Sequence, residues 1–116
     1  MGHKAMAQKK DIDNILDKVV LRIRDNYNPD RIVLYGSYAY GSPDDGSDVD
    51  LLIVKDTNER PIDRRLAVRK MISDIRHKIP FSSLVVTPGE LSERLSLGDD
   101  FWVEITTRGK VLYERP

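Results

Sequence analysis

The chain has 116 residues, the length of one domain, and folding such a domain hides roughly two-thirds of the surface its unfolded chain exposes. Its 19 basic and 19 acidic side chains cancel, so it lacks the global positive field that gathers nucleic acid. It has no cysteine, which excludes a disulfide framework and a thiolate metal site, and no apolar run approaches the ~18 residues of a membrane span.

The opening residues 1–10, MGHKAMAQKK, have no signal-peptide apolar core and read as a disordered or tag-like tail. Residues 11–116 read as a single domain of a soluble, cytoplasmic protein. Ile12, Ile15, Leu16, Val19, Val20, Ile23 and Tyr27 recur at helical spacing behind Asp11, a plausible N-cap, and predict a helix ending near Asn26. Asn28-Pro29-Asp30 breaks it. Ile32–Tyr35 and Val49–Val54 are short, β-branched or aromatic runs that read as strands, joined by a turn-rich connection from Gly36 to Ser47.

After a polar loop, Pro61 suits the first turn of a helix, and Ile62, Leu66, Val68, Met71, Ile72, Ile75 and Ile79 extend the spacing to Pro80. Arg64, Arg65, Arg69 and Lys70 fall on other faces and read as a solvated surface, with one of them free to reach a triphosphate. Phe81–Thr87 is a third strand, Pro88 to about Leu97 a short helix, and Phe101, Trp102 and Ile105 belong to a last helix closed by Gly109 as a C′ glycine. Val111–Glu114 is a terminal strand. Phe101 and Trp102 read as core or as a homo-oligomer interface. With His3 in the tail and His77 off the apolar stripe, histidine acid–base chemistry is not expected. The order predicts an α/β (α+β) fold, a small mixed sheet covered by helices.

The chemistry gathers at the seams of the first two strands. Asp48 and Asp50 are two residues apart, so in an extended chain both carboxylates face one way, with backbones about 6 to 7 Å apart. At an effective dielectric near 20 they repel by roughly 2 to 3 kcal/mol. A divalent cation relieves that repulsion, and two carboxylates plus substrate phosphates are a usual way of holding Mg²⁺. Gly36 lets backbone approach a phosphate, and Ser37 adds a hydroxyl and an N–H. If Ser37-Tyr38-Ala39-Tyr40 opens a short helix, its N–H groups add to an anion site.

Gly36-Ser37, ten intervening residues and Asp48-Val49-Asp50, led in by Leu34-Tyr35, resemble the signature of the DNA polymerase β-like nucleotidyltransferase superfamily, and the length resembles its minimal nucleotidyltransferases, the MNT domains. The resemblance spans about residues 12–115. It implies a palm-like fold and transfer of a nucleoside monophosphate from an NTP, ATP first, to a hydroxyl. It makes Asp48 and Asp50 the catalytic and metal residues for Mg²⁺ or Mn²⁺, and gives Gly36 and Ser37 the nucleotide phosphates.

It also implies a third carboxylate on a later strand, where this chain has Ser82, with Ser83 the near alternative. Glu90 or Glu104 would have to supply it from elsewhere. The residue before the second glycine of the loop, often arginine in the family, is Tyr40. Such domains pair with helical HEPN-type partners in toxin–antitoxin modules. Two readings follow from the resemblance. One is an active adenylyltransferase acting on a protein or small-molecule hydroxyl. The other is a catalytically weakened module that binds nucleotide or neutralises a partner by docking.

Overall fold

The computed structural model describes residues 9–41, 43, 47–75 and 79–116, and, for residues 9 and 10, the backbone only. His3, His77 and most of the expected tail lie outside the described residues. The elements run α1 Lys9–Tyr27, β1 Arg31–Tyr35, α2 Ser37–Tyr40, β2 Val49–Val54, α3 Pro61–Met71, β3 Phe81–Val86, α4 Pro88–Ser96, α5 Asp100–Arg108 and β4 Lys110–Glu114.

The strands form one mixed sheet in the order β3-β2-β1-β4. β1 is antiparallel to both β2 and β4, whereas β2 and β3 are parallel across the α3 crossover. Strand side chains alternate, so each strand feeds both faces. Ile32, Leu34, Val49, Leu51, Ile53 and Val85 pack with Leu16, Val19 and Ile23 of α1 and Val68 of α3. Val33, Tyr35, Leu52 and Val54 pack on the other face with Leu91 of α4 and Ile105 of α5. β2 is thus covered on both sides, which explains why its Leu51–Val54 run is continuously apolar rather than alternating.

α1 starts at Lys9, so Asp11 sits inside the first turn and not at the cap. Asn28 takes φ 51° just after the helix, a left-handed conformation that asparagine tolerates, and Arg115 Nη2 donates to its carbonyl at 2.6 Å.

The second long helix is shorter than its apolar spacing predicts. α3 stops at Met71, and residues 72–75 form turns, with the Ile75 N–H bonded to the Ile72 carbonyl at 3.0 Å. Ile72, Ile75 and Ile79 remain buried, so the spacing reports burial and not helix continuation. Arg22 of α1 takes the freed Met71 carbonyl at 2.7 Å and pairs with Asp74 at 2.7 Å, a long-range cap that no local pattern announces.

Gly109 does end α5, but at φ −67°, not in the left-handed region. Its need for glycine is steric: a Cβ there would overlap the Ile105 carbonyl and lie 2.7 Å from Val33 Cγ1. The junction of α5 and β4 runs that close to β1.

Candidate active site at the ends of β1 and β2

The antiparallel register pairs Tyr35, the last residue of β1, with Asp50 near the start of β2. The next residue, Gly36, has φ +75° and ψ −163° and turns the chain into α2. The N–H groups of Ala39 and Tyr40 both reach back to the Gly36 carbonyl, at 2.9 and 3.0 Å. Gly36 also lies flat against Asp50. A Cβ at position 36 would overlap Asp50 Oδ2 and stand 3.2 Å from its Cγ. The Gly-Ser loop and the D-x-D pair, separated by ten residues of sequence, are therefore in direct contact.

Asp48 is exposed, just ahead of β2, while Asp50 is half-buried. Burial, and after it the charge of Asp48, raises the Asp50 carboxyl above its ordinary value. The expected repulsion is present, but removal from water is the larger cause. Tyr35, buried beside Asp50 and Tyr40, has its phenol pushed up to about 12, with burial again leading, and stays neutral. No basic side chain among the described residues pairs with Asp48 or Asp50, and hard, charged oxygen donors suit a hard divalent cation. Among the described residues no group of three or more His, Cys, Asp or Glu side chains could enclose a metal ion.

β3 brings Ser82 into register with Asp50, on the same sheet face, and leaves it exposed. Neither alternative carboxylate is available there. Glu90 caps α4 reciprocally with Thr87 and holds Arg64, with Oε1 accepting from Arg64 Nη1 at 2.7 Å and from the Thr87 N–H at 2.9 Å. Arg64, and then the Thr87 N–H, hold Glu90 below its ordinary pKa. Glu104 pairs with Arg108 at 3.2 Å on the exposed side of α5.

The cations of α3 divide. Arg64 is not solvated: its side chain is 6% exposed, and it also donates to the carbonyls of Glu59 and Val85. Arg65 and Arg69 are exposed and line a cavity of about 240 Å³ together with Asp48, Ser82 and Ser83. Arg108 reaches the loop from α5, its guanidinium carbon 4.2 Å above the Tyr40 ring. Sequence reading left Arg108 out, because only tertiary packing brings α5 over α2. Phe101, expected in the core or an interface, is 48% exposed and meets Tyr35 edge-on with ring centroids 5.9 Å apart.

Residues 16–109 match the nucleotidyltransferase domain family. The chain is 34% identical over 112 residues to a Methanocaldococcus jannaschii protein provisionally named a protein adenylyltransferase, covering 92% of this chain and 75% of that one. The fold superposes on a provisionally assigned nucleotidyltransferase from Sulfolobus solfataricus with a TM-score of 0.57 and 17% identity, over 97% and 94% of the two chains. It also superposes on a mutant of the toxin–antitoxin pair MntA–HpeT, with a TM-score of 0.54 and 22% identity over 86% and 72%. At those identities the two structures speak to the fold alone. This chain belongs to the nucleotidyltransferase domain family.

Proposed function

We propose that this protein binds a nucleoside triphosphate, ATP in the first place, with Mg²⁺ or Mn²⁺ and transfers its nucleoside monophosphate to a hydroxyl on a partner protein. The contact between Gly36 and Asp50 carries the reading, because it sets a backbone able to meet phosphate against a carboxylate pair able to hold a cation. Asp48 and Asp50 would hold the metal, and Gly36 and Ser37 the β- and γ-phosphates. When bound, the cation neutralises phosphate charge and stabilises charge developing in the transition state.

In the transfer, the acceptor oxygen forms a bond to the α-phosphorus and the bond to the bridging oxygen breaks. Pyrophosphate leaves with that electron pair, and the hydroxyl proton passes to solvent. The chain's part is positioning and electrostatics, which is most of what phosphoryl-type transfer asks of a protein. The relative named as a protein adenylyltransferase favours a protein acceptor. The MntA–HpeT neighbour favours a toxin–antitoxin setting, with a HEPN-type protein as the partner to try first.

One observation favours a slow enzyme, or a module that chiefly binds. The position in register with Asp50 holds a serine, and both alternative glutamates are engaged elsewhere. A hydroxyl is a poor cation ligand beside a carboxylate and no general base near neutral pH. Ser82→Asp should therefore raise label transfer from α-labelled ATP at least about tenfold, roughly 1.4 kcal/mol of barrier. Transfer that is fast in the wild type and unchanged or lower in the variant would defeat the weakened-enzyme reading.

A further inference from the structure

The cavity beside Asp48 lies on the far side of the aspartates from the Gly-Ser loop. The sheet order fixes this, since β2 carries the aspartates between β1, which leads into Gly36, and β3, which leads away from it. Its helical wall is one stripe of α3, with Ile62, Arg65, Leu66 and Arg69 at i, i+3, i+4 and i+7. All four are exposed. Among the described residues, neither Arg65 nor Arg69 has an ion-pair partner, although other arginines of the chain do.

The other wall is the edge strand β3. The Pro80 carbonyl accepts from the Val49 N–H and the Val86 carbonyl from the Lys55 N–H, both at 2.9 Å. Alternation along the strand then turns the backbone groups of Phe81, Ser83 and Val85 outward. Arg64 Nη1 donates to the Val85 carbonyl at 3.3 Å. Phe81 and Ser83 face the cavity.

We propose that this groove docks the acceptor of the transfer as an extended, acidic, hydroxyl-bearing segment of a partner protein. The segment adds a short strand along Phe81 and Ser83 and sets its carboxylates on Arg65 and Arg69. This rests on the transfer function above and names the partner's chemistry. A peptide suits the groove because an open strand edge answers backbone amides, and an i, i+4 pair of guanidinium forks answers carboxylates. A nucleic-acid acceptor fits less well: two arginines on a chain of zero net charge give little counter-ion release. Seated there, the acceptor hydroxyl comes to the phosphorus past Asp48, and the pyrophosphate leaves toward Gly36.

The test uses the full chain, a fluorescent Glu–Tyr random copolymer, a Lys–Tyr copolymer and a short single-stranded oligonucleotide, with anisotropy for binding and α-labelled ATP for transfer. The Glu–Tyr polymer should bind and accept label at least about tenfold better than the other two. The double reversal Arg65→Glu with Arg69→Glu should remove that preference while leaving the rise in Tm caused by metal–ATP intact. Ser83→Pro deletes an N–H that points away from β2, so the sheet is kept, and it should weaken binding of the same polymer.

Unchanged binding in both variants overturns the proposal, and so does better binding of the oligonucleotide. Loss of the metal–ATP shift in the double reversal also overturns it, since the arginines would then serve the nucleotide. If the wild type binds the Glu–Tyr polymer through Arg65 and Arg69 but shows no metal–ATP shift, the peptide groove stands and the transfer function fails.

Discussion

At the residue scale the site turns on two neighbours that constrain one another. Gly36 has a positive φ and no room for a Cβ, because the Asp50 carboxylate already occupies that space. Gly36→Val should abolish the metal–ATP thermal shift and also lower the Tm of the apo protein, since both strain and collision act without ligand. Unchanged ATP affinity in a folded Gly36→Val protein would mean that the loop does not cradle phosphate.

Asp50 makes a pH-dependent prediction. Its folded-state carboxyl titrates above the ordinary 3.8, through burial first and Asp48 second. The folded state therefore holds that proton more tightly than the unfolded chain, and folding is penalised once the proton leaves. The penalty is absent below pH 3.8, grows as pH rises through the raised folded value, and is complete above it. Metal-free Asp50→Asn should accordingly melt higher than wild type at neutral pH, with the difference closing in acid. With metal and ATP the order should reverse, because a ligand that binds only the folded wild type stabilises it by mass action. An equal metal–ATP increment in both proteins would remove Asp50 from the site.

At the scale of elements, the buried cation of α3 is the piece on which the helices behind β3 depend. Arg64 ties α3 to α4 through Glu90 and to β3 through the Val85 carbonyl, and Glu90 doubles as the N3 residue of the α4 capping box. Glu90→Gln removes the carboxylate charge and one of the two oxygens that accept from a buried guanidinium, and should cost about 1–3 kcal/mol in urea unfolding. Glu90 titrates below its ordinary 4.5, so its contribution is present above that pH and is lost as pH falls through the depressed folded value. The gap between wild type and variant should narrow over that acid window. The metal–ATP shift should survive, because Glu90 is engaged by Arg64 and Thr87 and not by the candidate loop or aspartates.

The same element marks how far sequence reading reaches. The apolar stripes found α1, β1, β2, β3, α5 and β4, because burial imposes period on sequence, and Pro88 announced α4. They overran α3, because Ile72, Ile75 and Ile79 stay buried although the helix ends at Met71. Gly36, Asp48 and Asp50 were legible as a constellation because a Gly-Ser turn closing one apolar strand and a D-x-D opening the next are both visible in local sequence. The Arg64–Glu90 pair and the stacking of Arg108 on Tyr40 were not. Both depend on a contact between elements distant in the chain, and a charged side chain carries no periodic signal of whether it is solvated or paired.

At the scale of the molecule, three layers hold the site at one end of the sheet. α1 and α3 cover one face, α4 and α5 the other, and the candidate loop, aspartates and serine lie at neighbouring strand ends. Gly36 and Asp48 thus flank the one connection from β1 to β2, and Ser82 follows another, all on a common support. No helix among the described residues is long and apolar enough to cross a membrane.

The bond from Arg64 to the Val85 carbonyl bears on how such a protein stays dispersed in a crowded solution. An unpaired strand edge is a template for any extended chain, including other copies of itself, and long flat edges seed aggregates. Here the distal end of β3 is stoppered by a buried guanidinium, while the end near Asp48 has no strand partner among the described residues. A visiting strand can pair over only a residue or two before it meets the stopper. That is enough to hold a peptide briefly in one register, and too little to nucleate a growing stack of sheets.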